Sequence, residues 1–399
     1  MKAGDEKNGT DGETLGVVGD AGGVATPAQR SACANTAPGN TLGRTGRDRD
    51  FLHIAETSKG FRGKRNNMSW SVKDRYLVSG PSTLGEAPFA SYVSPVITCR
   101  FPALQFLPSW NVRVSGGAGF RVELRVMNDA GDFSPWFFMG EGGAWRELPD
   151  EITKDENWGE VRIDYLQLLK PAMAFQYRVT FHGFDVGDHG GTDSVSSELH
   201  RFFLQYSGLA QRVGRSRREP EPLRVEVPVP YRSQLDVEPE DLKHIVCCPT
   251  CVAMVLESYG MDRPTVEICD GVYDERHKVY GVWPRASQAA FDNGFKAWVQ
   301  RFRYMNGVRA FLLSGRPIIA SIRVRDGELR GASYKSSRGH LIVVRGLTDD
   351  GKVIVNDPYS AGPGGKEILY EQSDIERVWL ECGGVGIIID PKPEPRQTI

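Results

Sequence analysis

The chain has no apolar run approaching the roughly 18 residues that a membrane-spanning helix needs, so nothing in it reads as a span. It has no excess of either charge: 49 lysines and arginines stand against 51 aspartates and glutamates, with no basic block standing out. A nucleic-acid or polyanion-binding role is therefore without electrostatic support. The opening stretch "MKAGDEKNGTDGETLGVVGD" lacks the apolar core of a secretory signal, although cytoplasmic and extracytoplasmic settings both stay open. Cysteines number only seven, and their odd count and spacing do not form a disulfide framework, which favours free thiols. No ATP-binding P-loop is present.

At 399 residues the chain is long enough for two domains that each bury a core. Residues 1–48 carry ten glycines and few large apolar residues. Such a segment buries too little surface to offset its ordering entropy and is expected to be disordered. Over residues 49–208 the pattern becomes short alternating runs, "NVRVSG", "FRVELRVMN", "EVRIDYLQL" and "FQYRVTFHGF", separated by Gly, Asp, Asn and Pro turns. Short strands with no convincing helix predict an antiparallel β-sandwich, jelly-roll-like in organisation and a candidate binding module. Trp136, Phe137, Phe138 and Trp145 offer a platform for a carbohydrate, cell-wall or peptide ligand, with core packing as the competing reading. His182, Asp185, Asp188 and His189 are metal-ligand types in a stretch that reads equally as a polar loop. Residues 209–222, "LAQRVGRSRREPEP", have the composition of a basic linker. A second domain follows over 223–392, helices first and strands later, with 393–399 as a tail.

Three of the seven cysteines crowd into "HIVCCPTCVAMVLESYG" (residues 244–260). Val252, Val255, Leu256 and Tyr259 recur at i, i+3, i+4 and i+7, the spacing of a buried helix face. Pro249 suits only a first turn and Gly260 a C-terminal stop, so the helix begins near residues 247–249. Its positive end favours a thiolate over a thiol. Three chemistries fit thiols so placed. A zinc site would use His244, Cys247, Cys248 and Cys251, but no second ligand pair appears at a distance. A redox pair would use Cys248 and Cys251 of "CPTC", but the preceding "VEPEDLKHIV" is a poor buried strand. A nucleophile needs a distant histidine, and "SRGHLIVVRGLTDDGKVIVNDPY" supplies His340 opening one strand and Asp357 ending the next. A four-residue connection over Leu347–Asp350 would set His340 opposite Asp357; a two-residue turn on Asp350-Gly351 would set Val344 there instead. An imidazole so held can take a thiol proton and later protonate a leaving amine.

Residues 224–392 resemble the papain-like cysteine peptidases of the bacterial double-glycine (bacteriocin) leader peptidase family and their peptidase-like relatives. "VPVPYRSQ", "CCPTCVAMVLESYG", "GRPIIASI", "GHLIVVRG" and "VIVNDP" carry the likeness, in that order. The resemblance implies an α+β papain-like fold, a peptide or protein substrate and no cofactor or metal. It puts Cys247 at the nucleophile, His340 at the general base, Asp357 at the residue orienting it and Gln234 at the oxyanion donor. One departure stands out: the family usually has glycine after the nucleophile, and this chain has Cys248. A side chain there is expected to crowd the oxyanion site. Two alternatives to hydrolysis follow, a peptide-binding module with an impaired site and a thiol–disulfide protein using Cys248 and Cys251.

Overall fold

The computed structural model describes residues 50–80, 89–115, 117–143, 151–183, 196–208 and 224–391. The glycine-rich start, the basic linker, the tail, Trp145, Asp185, Asp188 and His189 lie outside the described residues. Among the described residues, no helix is long and apolar enough to cross a membrane.

The N-terminal region is built from strands, with no helix among its described residues. Its principal strands are β1 (Asp50–Ala55), β2 (Ala90–Val93), β3 (Ile97–Val114), β4 (Ala118–Met127), β5 (Phe137–Gly143), β6 (Gly159–Arg162), β7 (Tyr165–Gly183) and β8 (Ser197–Ser207). They form one hydrogen-bonded set because β3 and β7 are long enough to serve two neighbourhoods. The first part of β7 pairs with β3, and its second part pairs with β4 on one side and β2 on the other. Strand β3 continues along β8, which β1 extends. Register shifts at Gln167, Ala172 and Ala174 bend β7 where it changes partner. The sheet therefore curls until it is nearly barrel-shaped around an aromatic core that includes Phe106, Trp110, Phe120, Phe175 and Phe202. Tyr177 stacks on Phe202 at 3.7 Å between ring centroids.

Two expectations for this region need correction. "EVRIDYLQL" is not one strand. It folds back on itself at Ile163-Asp164, with Arg162 paired to Tyr165. The alternating pattern survives a two-residue hairpin, so periodicity alone could not reveal it. The aromatic group is also no open platform: Phe137 and Phe138 are buried, and the Arg125 and Arg178 guanidiniums cover Trp136 at 4.7 and 4.6 Å from its ring centroid.

The C-terminal region places helices α1 (Cys247–Ser258), α2 (Thr265–Val272), α3 (Trp283–Asp292) and α4 (Met305–Leu313) around an antiparallel sheet. Its strands are β9 (Ala297–Arg301), β10 (Ile318–Val324), β11 (Ser337–Leu347), β12 (Lys352–Asn356), β13 (Ile368–Glu371) and β14 (Val385–Ile389), in the order β9-β14-β10-β11-β12-β13. Helix α1 starts at Cys247, and Gly260 follows its end with φ of +84°, a conformation that glycine adopts without a Cβ clash. The helix is buried on more than the one face its spacing suggested: every residue from Cys248 to Leu256 is buried. It packs on β11 while α2 and α3 close its other side.

The two regions meet along a continuous interface. Leu107, Tyr165 and Phe203 join the core of the C-terminal region, and Phe203 stacks on Trp298 at 5.7 Å. Several polar groups buried there are matched across it. Val112 N–H donates to Gln288 Oε1 (3.1 Å) while Gln288 Nε2 donates to the Val112 carbonyl (2.6 Å). Val299 N–H donates to Ser109 Oγ at 3.0 Å, and Trp283 N–H donates to Asp164 Oδ1 at 2.7 Å. Unpaired, such groups would cost about 1–3 kcal/mol each.

Candidate active site

Three local features bring the sequence-predicted residues together. Helix α1 lies on β11, where Cys251 Sγ donates to the Leu341 carbonyl at 3.2 Å. That contact holds Cys247, one turn earlier, beside His340. Strand β12 delivers Asp357 from the other side of β11. The segment bearing Gln234 then runs along the residues after Asp357: Gln234 N–H donates to the Pro358 carbonyl (2.9 Å), and Ser233 Oγ and Tyr231 Oη both donate to the Ser360 carbonyl (2.7 Å each). Asp357 N–H donates to the Gly365 carbonyl. A Cβ at residue 365 would lie 2.1 Å from the Asp357 carbonyl oxygen, so this close approach requires glycine.

The β11–β12 register differs from both predicted versions. The connection is the three residues Asp349–Gly351, closed by Thr348 N–H donating to the Lys352 carbonyl, and a bulge at Arg345 shifts the ladder. Val343 therefore faces Asn356, and the same register points Ile342, not His340, at Asp357. His340 reaches the carboxylate diagonally from two residues further along the same face.

His340 Nε2 lies 2.7 Å from Asp357 Oδ1, with both side chains almost wholly buried. The other ring nitrogen is free of Asp357, and Cys247 lines the same cavity as His340. Asp357 also accepts from Tyr334 Oη (3.0 Å) and Tyr359 N–H (3.0 Å), so three donors hold it. Tyr334 packs edge-on against the imidazole at 5.2 Å. Burial is the largest influence on His340 and drives it towards the neutral form. The Asp357 charge and hydrogen bond, followed by those of Cys247, outweigh it and raise His340 to about 10. Such an imidazole favours its protonated form.

Gln234 is buried, and its Nε2 donates to the Lys243 carbonyl at 2.7 Å while its Oε1 has no hydrogen-bond partner. Reversing the amide would set two oxygens against each other, so this orientation is the consistent one. The second Nε2 hydrogen is then available to the cavity that Gln234 lines with Cys247 and His340.

The neighbouring thiols differ from Cys247. Cys248 and Cys251 are fully buried in the core, and burial drives both far above the ordinary thiol range. Neither lines the cavity, so the Cys248 side chain points into the core and does not crowd the oxyanion side. The proposed zinc quartet is not assembled either: His244 is exposed, and its Nδ1 lies 3.1 Å from Tyr359 Oη. Tyr334 and Tyr359 were missed by the sequence reading. Tyr359 sits two residues after Asp357 in "NDPY", a signal that proximity could have offered; "GASYKS" gives none for Tyr334. Also missed were Arg162, Asp164 and Tyr165, which line the same cavity from the N-terminal region.

A family model described as Peptidase C39-like matches residues 226–387, and one described as the Peptidase C39 N-terminal domain matches residues 50–190. Solved structures similar to the chain include a C39-like peptidase from Bacillus anthracis, at 16% identity and TM-score 0.33, covering 43% of this chain and 100% of that one. Another is the peptidase domain of Streptococcus ComA, a bi-functional ABC transporter of a quorum-sensing pathway, at 18% identity and TM-score 0.28, covering 37% of this chain and 92% of that one. A search of curated proteins returns no match.

Proposed function

Because the chain belongs to the C39-like peptidase family, with the N-terminal domain of that family, we propose that it hydrolyses an amide bond of a peptide or protein. In this reading Cys247 thiolate attacks the carbonyl carbon. The oxyanion is met by the second Nε2 hydrogen of Gln234 and an N–H of the α1 start. The His340 imidazolium, held by Asp357, gives its proton to the departing amine, and the acyl group stays on sulfur. The neutral imidazole then takes a proton from water, whose oxygen displaces the thiolate to release the acid. A papain-like fold for the C-terminal domain, a jelly-roll-like sandwich for the N-terminal one, and a linker over 209–222 belong to the same reading.

The observation that supports it most is the buried His340–Asp357 pair at 2.7 Å, which lines one cavity with a cysteine at a helix start. The test is turnover of a peptide library by the wild-type chain and by Cys247→Ala. Complete loss in the variant is expected, and retained turnover would remove Cys247 from its role. Loss confined to Cys251→Ala would favour thiol–disulfide chemistry, which the deep burial of Cys248 and Cys251 opposes.

A further inference from the structure

The cavity of about 270 Å³ in front of Cys247 has two walls from two domains. One is the α1, β10 and β11 surface with Cys247 and His340. The other is the tip of the β6–β7 hairpin, which inserts Arg162, Asp164 and Tyr165. This tip is strained. Ile163 sits at φ +55°, a conformation that a β-branched residue adopts only under constraint. The constraint is visible: Asp164 Oδ1 accepts the first N–H of α3 from Trp283, and Ile163 is itself buried. The C-terminal domain thus holds the hairpin in a conformation that its own sequence disfavours, with its tip at the reaction centre.

The charge of the lining is one-sided. Arg162, Lys278, Arg323 and Arg338 contribute cations, and Asp164 is the only carboxyl among the described lining residues. Asp164 is buried and already committed to the α3 N-terminus, and desolvation raises it to about 8, so it offsets little of that positive field. Glu160 pairs with Arg162 at 2.8 Å and Glu275 with Lys278 at 2.6 Å. Arg338 is exposed and forms no ion pair among the described residues. It lies two residues before His340 on β11, where Arg338 and Gly339 bulge opposite a single residue of the neighbouring strand, and it lines the same cavity. Arg323 stands opposite that bulge on the neighbouring strand, next to the Ile322–His340 pair.

We propose that the N-terminal domain completes the substrate cleft, and that Arg162 from its hairpin joins Arg323 and Arg338 to select peptides presenting a carboxylate beside the bond at Cys247. This rests on the peptide-substrate reading above, but binding can be measured without turnover. The carboxylate can come from an Asp or Glu side chain or from a free chain end.

The test is fluorescence anisotropy with the full-length Cys247→Ala chain and labelled short peptides. One series carries Asp and Glu, a second Asn and Gln at the same positions, and a third Lys; each is made with a free and an amidated C-terminus. The acidic series should bind at least roughly tenfold more tightly than the amide series, from charge-assisted hydrogen bonds, and the advantage should shrink with salt. Arg338→Glu should remove or invert that preference, and the milder Arg338→Gln and Arg162→Gln should reduce it. A preference that persists in amidated peptides assigns the side chain as its source; one that vanishes on amidation assigns the chain end. Equal binding across the three series, or variants that weaken all peptides alike, would overturn the proposal. Selective acidic binding by a wild-type chain that cleaves none of these peptides would instead overturn the hydrolytic reading and leave this one standing.

Discussion

The two walls of the cleft hold two buried carboxyl groups in opposite circumstances. Asp357 meets an imidazole, a phenol and a backbone N–H, so its charge is compensated on the spot. Asp164 has one backbone donor, and desolvation holds it towards its neutral form. The first arrangement concentrates charge where a thiol must be activated. The second makes a carboxyl act as a clamp for a strained hairpin and leaves Arg162 as the cation of that wall. A buried carboxylate therefore signals reaction chemistry only when its partners are known.

The sharpest way to break the contrast is at Asp357. Asp357→Asn keeps the size of the side chain but removes the charge that orients the imidazole, and turnover should fall by on the order of 10³ or more. A loss below about tenfold would mean that Asp357 only fixes the turn before Pro358. On the other wall, Asp164→Asn should leave kcat nearly unchanged, because the amide oxygen still accepts from Trp283. A loss in kcat comparable to that of Asp357→Asn would erase the distinction between the walls.

Much of this was legible in the sequence. The start of α1 and the strand character of the described N-terminal region follow from spacing, turn residues and alternation, while Gln234 came forward only through the family resemblance. The diagonal register of His340 against Asp357 was not, because a bulge at Arg345 leaves no compositional mark. Nor was the hairpin at Ile163-Asp164, whose first turn residue is a β-branched isoleucine at positive φ in a turn held by tertiary contacts. The direction of the Cys248 side chain is likewise a tertiary fact: the sequence placed it beside the nucleophile, and packing turned it inward.

Smaller effects sharpen the contrast through pH. His340 is raised from 6.5 to about 10 in the folded chain, so its contribution is fully present below pH 6.5 and is lost as pH rises through 10. Asp164 is raised from 3.8 to about 8. The folded state therefore holds its proton longer than the unfolded state, and stability falls as pH rises from 3.8 to 8. Thermal melts should show His340→Gln flattening the upper window and Asp164→Asn flattening the lower one. Slopes that are unchanged in both variants would contradict these environments.

The smallest effect is expected at Cys248. Cys248→Ala should cost about 1 kcal/mol of stability for the lost buried sulfur and leave turnover within about twofold. A tenfold change in turnover would reinstate the thiol as a member of the reaction wall.

The central claim, that one of three crowded thiols is the reactive one, is tested most directly by iodoacetamide labelling of the native chain at neutral pH, followed by peptide mapping. Within residues 247–251 the account predicts rapid modification at Cys247 alone, slowed when His340 is replaced by alanine. Modification of Cys248 or Cys251 at a comparable rate in the folded protein, or a Cys247 rate indifferent to His340, would contradict it.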